Sequence, residues 1–190
     1  MSKAVMLSIR PKWVEKIANG EKTIEIRKNR PKLATPFKCY IYCSAGGDKL
    51  WVRDAAWRER WMNGPIAFLV NAKDCGEMNL GNGRIIGEFT CDRIYELAPL
   101  NHAPDDVEKQ ACLTREEIVN YLKGTGYGWH ISDLLIYDRP RELSEFRRAT
   151  DPCDSCHAEY TWECTDCKKI GGNIKRPPQI WCYVEAMKDG

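Results

Sequence analysis

The sequence has no long apolar run, few histidines and little net charge, and each absence excludes a class of protein. No stretch approaches the ~18 apolar residues that a membrane helix needs. The opening MSKAVML contains no apolar segment of the signal-peptide type, so we expect a cytoplasmic protein. With only 3 histidines there is little room for a paired-histidine mechanism. A net charge of +2 does not by itself indicate a nucleic-acid-binding protein.

The basic residues are nevertheless unevenly distributed. Residues 1–32 contain Lys and Arg at positions 3, 10, 12, 16, 22, 27, 28, 30 and 32, against Glu at 15, 21 and 25. A local positive face attracts phosphate even when the whole chain is nearly neutral. The alternative is an ordinary solvated surface rich in lysine.

Length and composition predict one domain over residues 1–190. The chain has 190 residues, 43% of them hydrophobic, and contains no internal repeat or low-complexity segment. Short strand-like segments alternate with a few short helices, which predicts an α+β fold with a largely antiparallel sheet. Strands are expected near 23–28, 37–43, 84–97, 131–138 and 179–185, and helices near 10–19, 46–63 and 114–124.

The helix expected at 46–63 mixes arginines with tryptophans. Arg53, Arg58 and Arg60 lie among three tryptophans there. Such a mixture suits stacking on nucleic acid, or equally the packing of an amphipathic helix. At the helix expected after residue 113, Thr114 and Glu117 have the spacing of a capping box.

The most informative segment is the helix, turn and strand at 10–28. Gly20 suits the left-handed position that ends a helix. In the following strand, alternation places Glu25 and Arg27 on the face opposite two isoleucines, with Lys22 in the turn just before. This is either an ordinary surface ion pair, which contributes about 0–1 kcal/mol, or a cluster with a function.

The segment GEKTIEIR at 20–27 resembles the signature loop of the ASCH domain, a member of the PUA-like superfamily. Further matching segments, in the same order along the chain, lie at 7–13, 40–43, 83–89, 127–134 and 176–185. The combination is similar to ASCH proteins found in bacteriophages and prophages.

The resemblance implies a PUA-like, mostly antiparallel β-barrel flanked by short helices. In such a barrel Lys22, Glu25 and Arg27 project into a cleft beside the first helix. Trp129, His130 and Ser132 are expected on its rim. Together with Arg10 and Lys12, these residues are our predicted nucleic-acid-binding set. A cleft with cations, a carboxylate and an aromatic ring suits a nucleobase.

Two classes of function are compatible with that cleft. The first is a binding module for RNA or a modified nucleobase that performs no chemistry. The second is a hydrolase that acts on RNA or on a modified nucleoside, because some ASCH relatives resemble acetylcytidine amidohydrolases and others ribonucleases. In a hydrolase, Lys22 and Glu25 are the catalytic candidates, and Tyr40, Tyr42 or Ser132 could assist in a ribonuclease.

The amidohydrolase pattern departs from this chain at two places. A catalytic threonine of those relatives falls at Glu25, and a carboxylate cannot replace a hydroxyl nucleophile unchanged, although it can serve as a general base. An acidic side chain is also expected before the short helix, where Ala111 or Cys112 stands. Glu108 is a nearby but displaced candidate.

The ten cysteines include two Cys-x-x-Cys units, the first formed by Cys153 and Cys156 and the second by Cys164 and Cys167. Paired units of this kind in a reducing compartment typically hold metal, and four thiolates form a closed tetrahedral zinc site. We therefore expect a structural zinc knuckle, inserted at about 150–173. A redox pair and free thiols are the alternatives. No chemistry is assigned to the other cysteines, at 39, 43, 75, 91, 112 and 182, because a free cysteine in an apolar strand behaves as a small hydrophobe.

Overall fold

The computed structural model describes residues 2–60, 64–97, 103–149 and 172–187. Its strands are β1 (Lys3–Ile9), β2 (Ile24–Arg27), β3 (Phe37–Cys43), β4 (Leu50–Val52), β5 (Ala67–Leu69), β6 (Asn79–Leu80), β7 (Ile85–Cys91), β8 (Ile94–Glu96), β9 (Tyr127–His130), β10 (Ser132–Arg141), β11 (Arg147–Arg148), β12 (Gly172–Asn173) and β13 (Trp181–Glu185). Its helices are α1 (Pro11–Ala18), α2 (Ala55–Arg60), α3 (Val107–Ala111) and α4 (Arg115–Leu122). Within the described ranges, no helix is long and apolar enough to cross a bilayer.

A seven-stranded sheet forms the centre of the molecule, in the order β10-β7-β3-β1-β13-β11-β12. The pairing of β1 with β3 is parallel, whereas the other pairs in this sheet are antiparallel. Both faces of the central strands are buried, since β1 and β3 contribute side chains to one core beneath α1 and to a second core on the opposite face. The predicted α+β class with mostly strands is confirmed.

A smaller sheet, in the order β2-β9-β8, continues the large one through two bent strands. The chain bends between β7 and β8 and again between β9 and β10, and Ile131 and His130 donate backbone hydrogen bonds to Thr23 and Arg93 across the bend. Gly87 allows the close approach of β10, because a Cβ there would lie 2.4 Å from the Leu135 carbonyl oxygen. The long strand predicted for 84–97 is therefore two strands separated by a bend.

The predicted closed barrel is not what the hydrogen-bond ladders form. The described strands pair in three sheets, and none of these sheets closes on itself. A gap separates β2 from β1, and it is bridged by a side chain, since Arg27 Nη2 donates to the Ser8 carbonyl oxygen at 2.9 Å. Both edges of β1 are already paired, with β3 and β13, so β2 is connected to β1 by this side chain and not by a ladder.

The helix predicted for 46–63 is wrong for its first part. Residues 50–52 form β4, the centre of a third sheet in the order β5-β4-β6, and the helix begins only at Ala55. Long-range pairing decides the conformation here: Trp51 Nε1 donates to the Val70 carbonyl oxygen at 3.2 Å, and Asn82 Oδ1 accepts from Leu50 N at 2.7 Å. Of the two alternatives for the arginines here, packing agrees with the contacts of Arg53, which lies 5.5 Å from the Phe68 ring, and of Arg58, which binds Asp138.

The elements that depend on local signals lie where they are expected. Gly20 adopts a positive φ of 74° directly after α1. Thr114 and Glu117 form both hydrogen bonds of the predicted capping box at the start of α4. The segment before α4, where no helix is predicted, contains α3, which is followed by Cys112 in the left-handed conformation.

Candidate functional site

The turn after α1 places Lys22 at the base of a pocket beside that helix. Backbone N–H groups of Glu21 and Lys22 both donate to the Lys16 carbonyl oxygen, which closes the helix and reverses the chain around Gly20. Strand β2 follows and pairs with β9, so its position is fixed by a ladder from Ile24 to Arg27.

Lys22, Glu25 and Arg27 form one buried ionic network, here called the charged cluster. Glu25 Oε2 lies 3.4 Å from Lys22 Nζ, and Glu25 Oε1 lies 3.0 Å from Arg27 Nη2. All three residues are less than a tenth exposed, at 2%, 6% and 7% for Lys22, Glu25 and Arg27. The interpretation as an exposed surface pair is therefore wrong, because these charges have left water and depend on one another.

Each end of the charged cluster is tied to a backbone carbonyl. Lys22 Nζ donates to the Ala111 carbonyl oxygen at 2.7 Å, and Arg27 Nη2 donates to that of Ser8 at 2.9 Å. The acidic partner expected before the short helix is thus replaced by the backbone of α3. Glu108 does not take this role, since it accepts from Arg115 N.

Burial lowers the pKa of the Lys22 ammonium group, and the Glu25 carboxylate opposes that shift. Desolvation disfavours the charged form of an amine, whereas a neighbouring carboxylate favours it. The cluster carries one negative and two positive groups, so its surroundings are attractive to a ligand with anionic or hydrogen-bond-accepting atoms.

The charged cluster opens into a pocket of about 460 Å³, here called the Lys22 pocket. A pocket of this size accommodates a small ligand. Its lining combines the charged cluster with aromatic, apolar and polar groups: Ser8, Ile9, Arg10, Trp13, Ile26, Ser44, Leu113, Glu117, Tyr121, Gln179 and Ile180.

Two aromatic rings of the Lys22 pocket are accompanied by lysines. Trp13 of α1 has Lys12 Nζ at 4.3 Å and Lys22 Nζ at 5.2 Å from its ring centroid. Tyr121 of α4 is 44% exposed and has Lys28 Nζ at 5.4 Å from its ring. The mouth therefore offers flat apolar surfaces for a stacked ring beside cations for phosphate.

Part of the predicted binding set lines this pocket and part does not. Arg10 joins the charged cluster in the lining. Lys12 is exposed on α1 next to Trp13 and does not itself line the pocket.

The three residues predicted on the rim lie elsewhere. Trp129 is 0% exposed, because its ring packs against Phe37 and Trp181 in the main core. His130 Nδ1 pairs with Asp92 at 2.6 Å, and the Ser132 hydroxyl donates to a carbonyl oxygen of β7 at 3.0 Å. None of the three lines the Lys22 pocket.

The tyrosines proposed as ribonuclease assistants also lie away from the pocket. Tyr40 and Tyr42 belong to the core on the opposite face of the large sheet. Sequence reasoning missed the pocket residues outside the charged cluster and Arg10, among them Trp13, Glu117 and Tyr121. The sequence already assigns a structural role to two of them, since Trp13 belongs to the apolar face of a helix and Glu117 to a capping box. It therefore does not indicate that either residue contacts a ligand.

The four predicted zinc ligands lie outside the described residues. They are Cys153, Cys156, Cys164 and Cys167, and all of them fall between the described ranges that end at residue 149 and resume at 172. The expected zinc knuckle therefore stays a prediction. Among the residues that are described, no three His, Cys, Asp or Glu side chains come together in a way that could hold a metal ion.

Four of the other cysteines are buried in the described strands. The thiols at 39, 43, 91 and 182 are free and enclosed by apolar neighbours. Burial raises the pKa of the Cys43 thiol to about 12. A thiol that stays protonated is a poor nucleophile and metal ligand, so the absence of assigned chemistry agrees with this environment.

The family model of the ASCH domain matches residues 7–171. The chain belongs to the ASCH domain family.

Solved structures with the same fold include ASCH from Zymomonas mobilis, with a TM-score of 0.54 and 15% identity over 96% of this chain and 87% of that one. A tyrosine-to-phenylalanine mutant of that protein gives a TM-score of 0.54 and 14% identity, covering 97% of this chain and 91% of the other. A serine-to-alanine mutant of the same protein gives a TM-score of 0.54 and 15% identity, covering 96% of this chain and 88% of the other. At such identities the likeness concerns the fold alone. No curated protein sequence is significantly similar to this chain.

Proposed function

We propose that this ASCH protein binds RNA or a modified nucleobase in the Lys22 pocket. ASCH domains are generally RNA-binding members of the PUA-like superfamily. The observation that carries the proposal is the buried charged cluster at the base of a pocket with aromatic walls. A ring stacks against Trp13 or Tyr121, its polar edge meets the cluster, and its phosphate meets the cations at the mouth.

The polar composition of the pocket supports a ligand of this kind over an apolar one. Charged groups are expensive to bury, and an interior that keeps three of them facing a cavity gains most from a ligand that hydrogen-bonds to them. Arg10, Lys12 and Lys28 supply positive charge around the mouth, which favours a ligand that carries phosphate.

A hydrolase that acts on RNA or on an acetylcytidine-like nucleoside is the second candidate. The lowered pKa of Lys22 beside a carboxylate favours it, since such pairs occur at catalytic sites. Against it, no hydroxyl among the described residues hydrogen-bonds to Lys22 or Glu25, and the Ser8 hydroxyl donates to the Pro178 carbonyl oxygen.

One screen separates these two functions. The purified protein is titrated with single-stranded RNA and a panel of ribonucleosides, and each mixture is then analysed for products by chromatography and mass spectrometry. We expect binding without product. If the wild-type protein converts a ligand to product and the Lys22→Met variant does not, the protein is a hydrolase and not only a binding module, with Lys22 and Glu25 as its catalytic groups.

We further propose that residues 150–173 form a zinc knuckle inserted in a single domain of residues 1–190. The thiolates of Cys153, Cys156, Cys164 and Cys167 would fill a closed tetrahedral shell, which is structural. We expect one zinc per chain by elemental analysis and a melting temperature several degrees lower for Cys164→Ser, because metal affinity contributes directly to folding. Cys75→Ser, a change outside the two units, is the matched control and should leave both values unchanged. Metal-free protein purified under reducing conditions would contradict the proposal.

The resemblance to bacteriophage and prophage ASCH proteins supports a role in an infected or lysogenic bacterial cell. Retention of thiolate ligands requires a reducing compartment, so the proposed setting is the cytoplasm.

A further inference from the structure

The charged cluster joins its hydrogen-bonding groups in a fixed order of contacts. Along the row lie the Ala111 carbonyl, the Lys22 ammonium, the Glu25 carboxylate, the Arg27 guanidinium and the Ser8 carbonyl. The successive contacts measure 2.7, 3.4, 3.0 and 2.9 Å. The two outer carbonyls hold the cations apart, so the carboxylate stays between them.

Every member of the charged cluster keeps hydrogen-bonding capacity for a ligand. An ammonium group has three N–H donors, and Lys22 uses two of them, on Ala111 and Glu25. A guanidinium has five donors, and Arg27 makes both of its contacts, with Glu25 and Ser8, through Nη2. Its Nε is enclosed, so Nη1 is the group that keeps donors for a ligand. A carboxylate has about four acceptor sites, of which Glu25 uses two. The unused groups of Lys22, Glu25 and Arg27 are therefore, in order, donor, acceptor and donor.

We propose that the Lys22 pocket selects a uracil-type base by its imide edge. That edge carries a carbonyl oxygen, an N–H and a second carbonyl oxygen in a row, which is acceptor, donor, acceptor. Lys22 and Arg27 each donate to one carbonyl, and Glu25 accepts from the N–H. This assignment rests on the proposed nucleobase-binding function and names the class of base.

The other bases do not match the same order. Cytosine has an exocyclic N–H beside an unprotonated N3, so its N3 lone pair faces the Glu25 carboxylate. N4-acetylcytosine keeps that N3 acceptor. Adenine offers a donor and an acceptor with no flanking carbonyl, and the amino group of guanine meets a cationic donor. Since Trp13 and Tyr121 stack on any base, discrimination must come from the charged cluster.

The test compares ligands on the unaltered wild-type protein, so that folding of a variant is not a concern. Uridine, 5-methyluridine, 3-methyluridine, cytidine, N4-acetylcytidine and adenosine are titrated by calorimetry, alongside oligouridine and oligocytidine of equal length. We expect uridine and 5-methyluridine to bind within about threefold of each other, because both keep the imide edge. Cytidine, N4-acetylcytidine and adenosine should bind at least about tenfold more weakly than uridine. The same loss of affinity is expected for 3-methyluridine, in which a methyl group replaces the N3 hydrogen of the imide.

The outcomes test the imide assignment separately from the proposed nucleobase-binding function. Binding of cytidine or 3-methyluridine as tight as that of uridine would overturn the imide assignment while leaving a nucleobase pocket in place. If no nucleoside or oligonucleotide binds, both the imide assignment and the proposed nucleobase-binding function are wrong. As an additional arm, Glu25→Gln, which introduces an amide donor, should narrow the preference for uridine over cytidine, and an unchanged preference in this variant would also overturn the assignment.

Discussion

The Glu25→Ala variant is expected to lose about 3–5 kcal/mol of unfolding free energy, because removing one partner leaves buried charges uncompensated. Lys22 and Arg27 are 2% and 7% exposed, and Glu25 is the carboxylate that contacts both. Urea denaturation followed by circular dichroism measures the effect. Glu25→Gln keeps the side-chain volume and an acceptor oxygen, so its loss should be smaller than that of the alanine variant.

A neighbouring surface pair is the matched control for this stability change. Lys16 and Glu21 lie in the same turn at 2.9 Å, with side chains 36% and 54% exposed. Exposed pairs contribute little, so Glu21→Ala should cost about 0–1 kcal/mol. Equal and small losses for Glu21→Ala and Glu25→Ala would show that the charged cluster is not electrostatically interdependent.

The second large effect is expected for ligand affinity in Lys22→Met. The substitution removes an N–H donor from the charged cluster but retains the Glu25–Arg27 pair, and it also removes a cation whose pKa is lowered by burial. A hydrogen bond from a charged group contributes about 1.5–3 kcal/mol, which corresponds to roughly 10–100-fold in affinity for RNA or nucleoside. Fluorescence anisotropy with labelled RNA measures the change, after circular dichroism has shown that the variant is folded.

Lys28→Met serves as the control for nonspecific electrostatics. Lys28 is exposed at the mouth, 5.4 Å from the Tyr121 ring, and removing it should weaken RNA binding only a few-fold and mainly at low salt. Equal effects of the two lysine substitutions would indicate that RNA binds to a diffuse basic surface and not in the pocket.

Several features of this site could be predicted from local sequence because local physics determines them. The glycine turn after α1 and the alternation in β2 place Lys22, Glu25 and Arg27 together without any long-range information. The family signature added that these residues face a cleft. The capping box at α4 is likewise a property of two residues three positions apart.

Other features depend on partners that are distant in sequence. Trp129 is buried because its ring packs against Phe37 and Trp181, and nothing within β9 specifies contacts with residues so distant in sequence. Residues 50–52 form a strand because β5 and β6 pair with them, despite flanking residues that favour a helix.

The partner of Lys22 illustrates a different limit. The sequence suggests Glu108 as the acidic partner of Lys22, whereas in the structure Lys22 donates to the Ala111 carbonyl oxygen. Every residue has a backbone carbonyl, so the sequence cannot indicate which one accepts this hydrogen bond. The closed barrel fails for a related reason. Both edges of β1 pair with β3 and β13, so β2 is connected to β1 by the Arg27 side chain, and both Arg27 and Ser8 line the pocket.

The most direct test of the central claim is to locate bound RNA by photo-cross-linking. Single-stranded RNA containing 4-thiouridine is irradiated with the wild-type protein, and cross-linked peptides are identified by mass spectrometry. We predict adducts on the peptides that contain Trp13 and Tyr121, the two aromatic walls of the Lys22 pocket, with competition by excess unlabelled RNA. Adducts confined to the surface around Arg53 and Trp57, with none on the pocket peptides, would contradict the assignment of the Lys22 pocket as the nucleic-acid site.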